Sequence, residues 1–71
     1  MIRFFDIHVF HGRNDGFGVP IKIDDSITDT DEDSIINFAV SIDKIDSEDA
    51  NCVDYVDEID EEDFLNMGGK L

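Results

Sequence analysis

The sequence predicts an α+β fold: a three-stranded, mainly antiparallel sheet with two helices in the order β-β-α-β-α, forming one domain over residues 1–71. Three observations lead there. Two early segments alternate apolar and polar residues on either side of a Gly/Asn/Asp cluster. A central segment carries an apolar stripe at helical spacing. The last third holds a β-branched run followed by an acid-started segment that stops at Gly68-Gly69.

Arg3 to Phe10 places Phe5, Ile7 and Val9 on one face of a strand, with Phe4, Asp6 and His8 on the other. Gly12 to Gly16 supplies residue types that accept positive φ, as a hairpin connection requires. Phe17, Val19, Ile21 and Ile23 then alternate with Gly18, Pro20, Lys22 and Asp24, giving a second strand with one apolar face. Pro20 lacks an N–H, so this strand is expected either to lie at a sheet edge or to turn Pro20 outward.

Asp24 to Thr30 reads as a polar connection, and Thr30 as the cap of a helix whose first turn holds Asp31, Glu32 and Asp33. Ile35, Phe38, Ala39 and Ile42 fall at i, i+3, i+4 and i+7, so this helix runs from about Asp31 to Asp43 and lies across the sheet. Lys44 to Ala50 has room for one helical turn after Ser47. Cys52 to Ile59 reads as a third strand with room for a bulge. Asp60 then caps a short helix, Glu61 to Met67, that ends at the two glycines. The predicted core is Phe5, Ile7, Val9, Phe17, Val19, Ile21, Ile23, Ile35, Phe38, Ala39, Ile42, Tyr55 or Val56, Ile59 and Phe64.

A chain of 71 residues buries only roughly 60% of its unfolded surface, so its stability is marginal. Its charge is the main signal. Nineteen acids against five Lys and Arg give −14. Through Ile23 the balance is +1; from Asp24 onward seventeen acids face two bases. One part of the chain builds a scaffold and the other displays a field. Such a surface repels nucleic acid and anionic lipid and attracts basic protein surfaces. The lone Cys52 fits a reducing compartment. No leader pattern and no membrane-length apolar run is present, so a cytoplasmic location is expected.

The chemical motifs are weak. Asp29-x-Asp31-x-Asp33 begins like a calcium loop, but Ser34 stands where that loop needs glycine and Val40 where it needs a bidentate glutamate. His8, His11 and Cys52 lack zinc spacing, and His8 and His11 fall on opposite sides of a strand. Ser26, Ser34, Ser41 and Ser47 sit in no glycine-framed elbow. Gly16-x-Gly18 is too short for a phosphate loop. No catalysis, metal or cofactor is therefore expected.

The acids themselves are the candidate site. Asp54, Asp57, Glu58, Asp60, Glu61, Glu62 and Asp63 form one dense block; Asp24, Asp25, Asp29, Asp31, Glu32 and Asp33 form another. Helix neighbours lie ~5–6 Å apart at Cβ. DNA phosphates recur every ~3.4 Å of axis per strand, so carboxylates on a helix and an adjacent strand can approximate a phosphate row. A well-behaved small domain needs a net charge of magnitude only ~2–8, and a larger excess costs stability through self-repulsion. The excess here suggests a field kept for its own sake, although solvated acid runs more often serve solubility alone.

The hairpin, the acid-started helix, the run VDYVDEIDEEDF and the Gly-Gly stop resemble small accessory proteins of phages and mobile elements, notably DNA-mimic inhibitors of the anti-CRISPR and anti-restriction type. The resemblance covers architecture and composition across the chain and rests on no diagnostic motif. It implies a stoichiometric inhibitor, acting in the cytoplasm of a bacterial host, that occupies the basic channel of a defence nuclease. Asp29, Asp31, Glu32, Asp33, Asp54, Asp57, Glu58, Asp60, Glu61, Glu62 and Asp63 are then the expected partner-binding residues. The alternative is an interaction module, homodimeric in the simplest case, that binds through Ile2, Phe4 and Phe10.

Overall fold

The computed structural model describes every residue from Met1 to Leu71. Strand β1 (Ile2–Phe10) lies at the centre of a three-stranded antiparallel sheet, between β2 (Gly16–Asp24) and β3 (Val53–Ile59). The helices are α1 (Glu32–Ser41), the single turn α2 (Ser47–Ala50) and α3 (Glu61–Asn66). The predicted order therefore stands, with the turn after Ser47 present as a third short helix.

The hairpin pairs Ile7 with Val19 and Phe5 with Ile21, which brings the two apolar faces into register. Its loop closes by His11 N–H donating to the Asp15 carbonyl at 2.8 Å. Gly12 and Arg13 take the positive φ angles, not Asn14 or Gly16. Phe10 donates its N–H to Cys52 on the β3 side. By alternation Pro20, opposite Asp6, turns its nitrogen toward the open edge of the sheet, where a missing donor costs the ladder nothing. Between His8 and Val9 the β3 register slips, leaving Asp54 as the extra residue of a bulge.

Asp31, not Thr30, caps α1. Its carboxylate accepts from the Ser34 backbone N–H and from the Ser34 hydroxyl at 2.7 Å, while Thr30 turns its hydroxyl to Arg3. Asp46 and Asp60 cap α2 and α3 in the same way. Helices α1 and α3 end in the same motif. Asp43 and Gly68 adopt left-handed φ, and the residue after each donates back to the last turn, Lys44 to Ala39 and Gly69 to Phe64.

One face of the sheet holds the main core: Phe5, Ile7, Val9, Val19, Ile21 and Ile23, covered by Ile35 and Ala39 of α1 and by Ile45. Only ten of the 71 residues are buried, so each carries a large share of a small total. Three predicted core residues are exposed instead. Phe17 sits at the hairpin mouth beyond the cover of α1, Ile42 follows the last turn of α1, and Tyr55 points to the other face; each is more than 40% exposed. Val56, Ile59 and Phe38 are half-buried. Ile45, in the connection from Lys44 to Ala50 and absent from the predicted core, is buried in their place.

Phe64 is buried, but on the opposite face. Its ring lies 4.7 Å from that of Phe4, and Met67 of the same segment reaches Gly18. Helix α3 thus covers the second face of the sheet, for which residue order alone supplies no cover. Phe4 is consequently not a free docking residue. Ile2 and Phe10 remain exposed but stand at opposite ends of β1, ~25 Å or more apart.

Asp6 shares this second face. One of its oxygens is buried with no hydrogen-bond partner. Desolvation raises its pKa above the ordinary 3.8; the positive influence of His8 opposes this and Asp57, directly across on β3, adds to it. A raised carboxylate pKa means that ionisation destabilises the fold, so the cost appears as pH rises through that value and is full at neutrality. Removing the charge in Asp6→Asn is expected to raise stability at pH 7 relative to acid pH. In urea unfolding that gain should shrink toward acid pH, where Asp6 is already protonated; a gain independent of pH would contradict this account.

Candidate functional site

The two acid blocks meet at Arg3. This side chain forms a two-point bond to Glu58, Nε to Oε2 and Nη2 to Oε1, both at 2.8 Å, and donates from Nη1 to the Thr30 hydroxyl at 3.0 Å. One cation thus ties the end of β3 to the segment leading into α1. The bond raises the Arg3 pKa and lowers that of Glu58. No local signal in the sequence marks this role, because the partners of Arg3 are 27 and 55 positions away.

The expected partner-binding acids divide by what each already does. Asp31 and Asp60 are caps, and Glu58 is committed to Arg3. Serine hydrogen bonding lowers the Asp31 pKa, which keeps it ionised for that task. Asp29, Glu32, Asp33, Asp54, Asp57, Glu61, Glu62 and Asp63 are exposed, and their side chains form no hydrogen bond or ion pair. Asp54 and Asp57 lie on β3, the second edge of the sheet, and Asp60 passes directly into the first turn of α3 with Glu61, Glu62 and Asp63. Edge strand and helix start follow one another without a break, and their exposed acids make up one acidic ridge. Glu32 and Asp33 open α1 on the far side of Arg3. Asp24 and Asp25 stand apart, next to the Met1 ammonium at 3.7 and 3.0 Å.

A ridge of this kind has two physical effects. Its charges guard an open β edge against pairing with another chain. They also project unneutralised negative potential from a relatively rigid scaffold, as a sheet edge and a capped helix move less than a tail.

The histidines have local partners. His8 stacks on Tyr55 with ring centroids 4.7 Å apart. His11 Nε2 lies 2.9 Å from Asp49 Oδ1, joining the hairpin turn to α2. That hydrogen bond raises the His11 pKa above 6.5 and lowers that of Asp49 below 3.8. The contribution of His11 is full below its ordinary pKa and is lost as pH rises through the raised one. That of Asp49 is present above its ordinary pKa and is lost as pH falls through the lowered one. The bond therefore acts between these limits. An NMR titration should place His11 above 6.5 and return it to the ordinary range in Asp49→Asn; a His11 pKa indifferent to that substitution would refute the pairing.

Comparison with known proteins adds no relative: no protein-family model matches the chain, and no curated protein or solved structure matches it significantly. No helix is long and apolar enough to cross a membrane. What the fold and the site define is a small α+β scaffold with an acidic ridge.

Proposed function

We propose that the protein is a non-catalytic inhibitor that presents nucleic-acid-like charge to a basic nucleic-acid-binding protein and occupies the surface where DNA or RNA would sit. A defence nuclease of the anti-restriction or anti-CRISPR target type fits the proposal best. The observation that carries it is the ridge of Asp54, Asp57, Glu61, Glu62 and Asp63, whose carboxylates have no partner within the molecule. A solvated run serving solubility alone does not need to be ordered on an edge strand and a capped helix. Concentrating charge there maximises repulsion among the acids, and that cost is offset when a basic partner neutralises them.

Salt is the discriminating variable. The immobilised protein should capture a nucleic-acid-binding protein from bacterial lysate at ~50 mM salt and lose most of it at ~500 mM, since screening shortens the reach of exposed charges. A partner retained equally at both ionic strengths would point to an apolar interface and against charge mimicry.

A further inference from the structure

All three lysines of this acidic chain line one groove. Lys22 comes from β2, Lys44 follows the stop of α1, and Lys70 lies in the tail after α3. They are distant in sequence and come together only through the fold. None has a carboxylate within 4.0 Å, although the chain holds nineteen; the ion pairs present go to Met1, Arg3 and His11. The groove therefore carries three unpaired positive charges in a chain of net −14.

The groove runs along the open edge of β2. Phe38 and Ile42 of the α1 side form its apolar wall, with the buried Phe64 behind Gly69 on the other side. Its volume is about 230 Å³. A cavity of ~150 Å³ accepts benzene, so this space takes one ring with one charged group attached. Pro20 at the lip decides between a compact ligand and an added strand. Its nitrogen faces the open edge without a hydrogen, removing a donor that an incoming peptide strand would need.

We propose that this groove is a binding site for a small anion with an apolar body, a carboxylate or phosphate monoester on a single ring or short hydrocarbon. The anionic head is held among the lysine ammoniums, and the body rests on Phe38 and Ile42. The site is independent of the acidic ridge and of the function proposed for it.

The test is an amide-resolved NMR titration of the intact protein with phenyl phosphate and with benzoate. Inorganic phosphate serves as the head alone and benzyl alcohol as the body alone. Saturable shifts confined to the groove are expected, with at least one aromatic anion binding ~10-fold or more tightly than either control. The double variant Lys44→Gln, Lys70→Gln should weaken that binding by ~10-fold or more while its spectrum stays dispersed, because it removes two charge-assisted bonds. Absence of saturation at ~10 mM probe would overturn the assignment. So would shifts centred elsewhere, equal binding of inorganic phosphate, or unchanged affinity in the double variant.

Discussion

Phe64→Ala is expected to remove about 3–5 kcal/mol of stability, the usual cost of truncating a buried phenylalanine. Phe64 is 2% exposed and is the one fully buried side chain on the second face of the sheet. Its ring packs on Phe4, and the backbone of Gly69 lies so close that a Cβ there would stand 2.5–2.7 Å from ring atoms. The ring therefore holds α3 down from both sides, and without it neither the helix nor the tail has an apolar anchor. A domain of this size has a total stability of only ~4–11 kcal/mol, so the variant loses a large share of it. Urea unfolding monitored by circular dichroism measures the loss directly. A change below ~1 kcal/mol would mean that α3 is a loose appendage and that the first face alone sustains the fold.

The second large effect is functional. Simultaneous Asp57→Lys, Glu61→Lys and Glu62→Lys is expected to reduce affinity for the captured partner by at least ~100-fold while leaving the fold intact. The choice of residues follows from their environment. All three are exposed with no partner, and Asp57→Lys sets an ammonium across the sheet from Asp6, where a positive charge is tolerated. Glu58 is excluded because reversal would set a lysine against Arg3, and Asp60 because it caps α3. The triple reversal shifts net charge by six, from −14 to −8. A control with the same net charge, made by Asp15→Lys, Glu48→Lys, Asn14→Lys and Asn37→Lys, leaves the ridge untouched and should retain most of the affinity. Equal weakening by both variants would show that bulk charge, not the ridge, is what the partner reads.

Much of this architecture is legible in residue order because the early strands alternate strictly and α1 carries its stripe at i, i+3, i+4 and i+7. Pro20 points to an edge position for β2, which the sheet order bears out, and Gly68-Gly69 marks the end of α3. What is not legible depends on which surface an apolar residue meets. Phe64 in a short acidic helix gives no indication of which sheet face it covers, so residue order groups it with Phe5 and Ile7 when it belongs with Phe4. Ile45 is a single apolar residue between Lys44 and Asp46, without periodicity to mark it. Its burial follows from the left-handed turn at Asp43, which redirects the chain back over the core. Thr30 and Asp31 are both good caps, and only the position of Arg3, which takes the Thr30 hydroxyl, separates them.

The acid blocks are visible as composition, whereas their division of labour is not. Caps and the Arg3 bond remove Asp31, Glu58 and Asp60 from free display and leave Asp54, Asp57, Glu61, Glu62 and Asp63 as the exposed ridge. The lysine groove lies outside the reach of local patterns for the same reason as Arg3: its members come from three distant segments.

The central claim is that this ridge takes the place of nucleic acid on its partner, and equilibrium competition tests it most directly. Labelled duplex DNA bound to the captured partner would be titrated with the protein and, in parallel, with the triple-reversed variant. The account predicts full release of DNA by the native protein, with apparent DNA affinity falling in proportion to its concentration, and no release by the variant. A ternary complex, with DNA and the protein bound to the partner together, would contradict it.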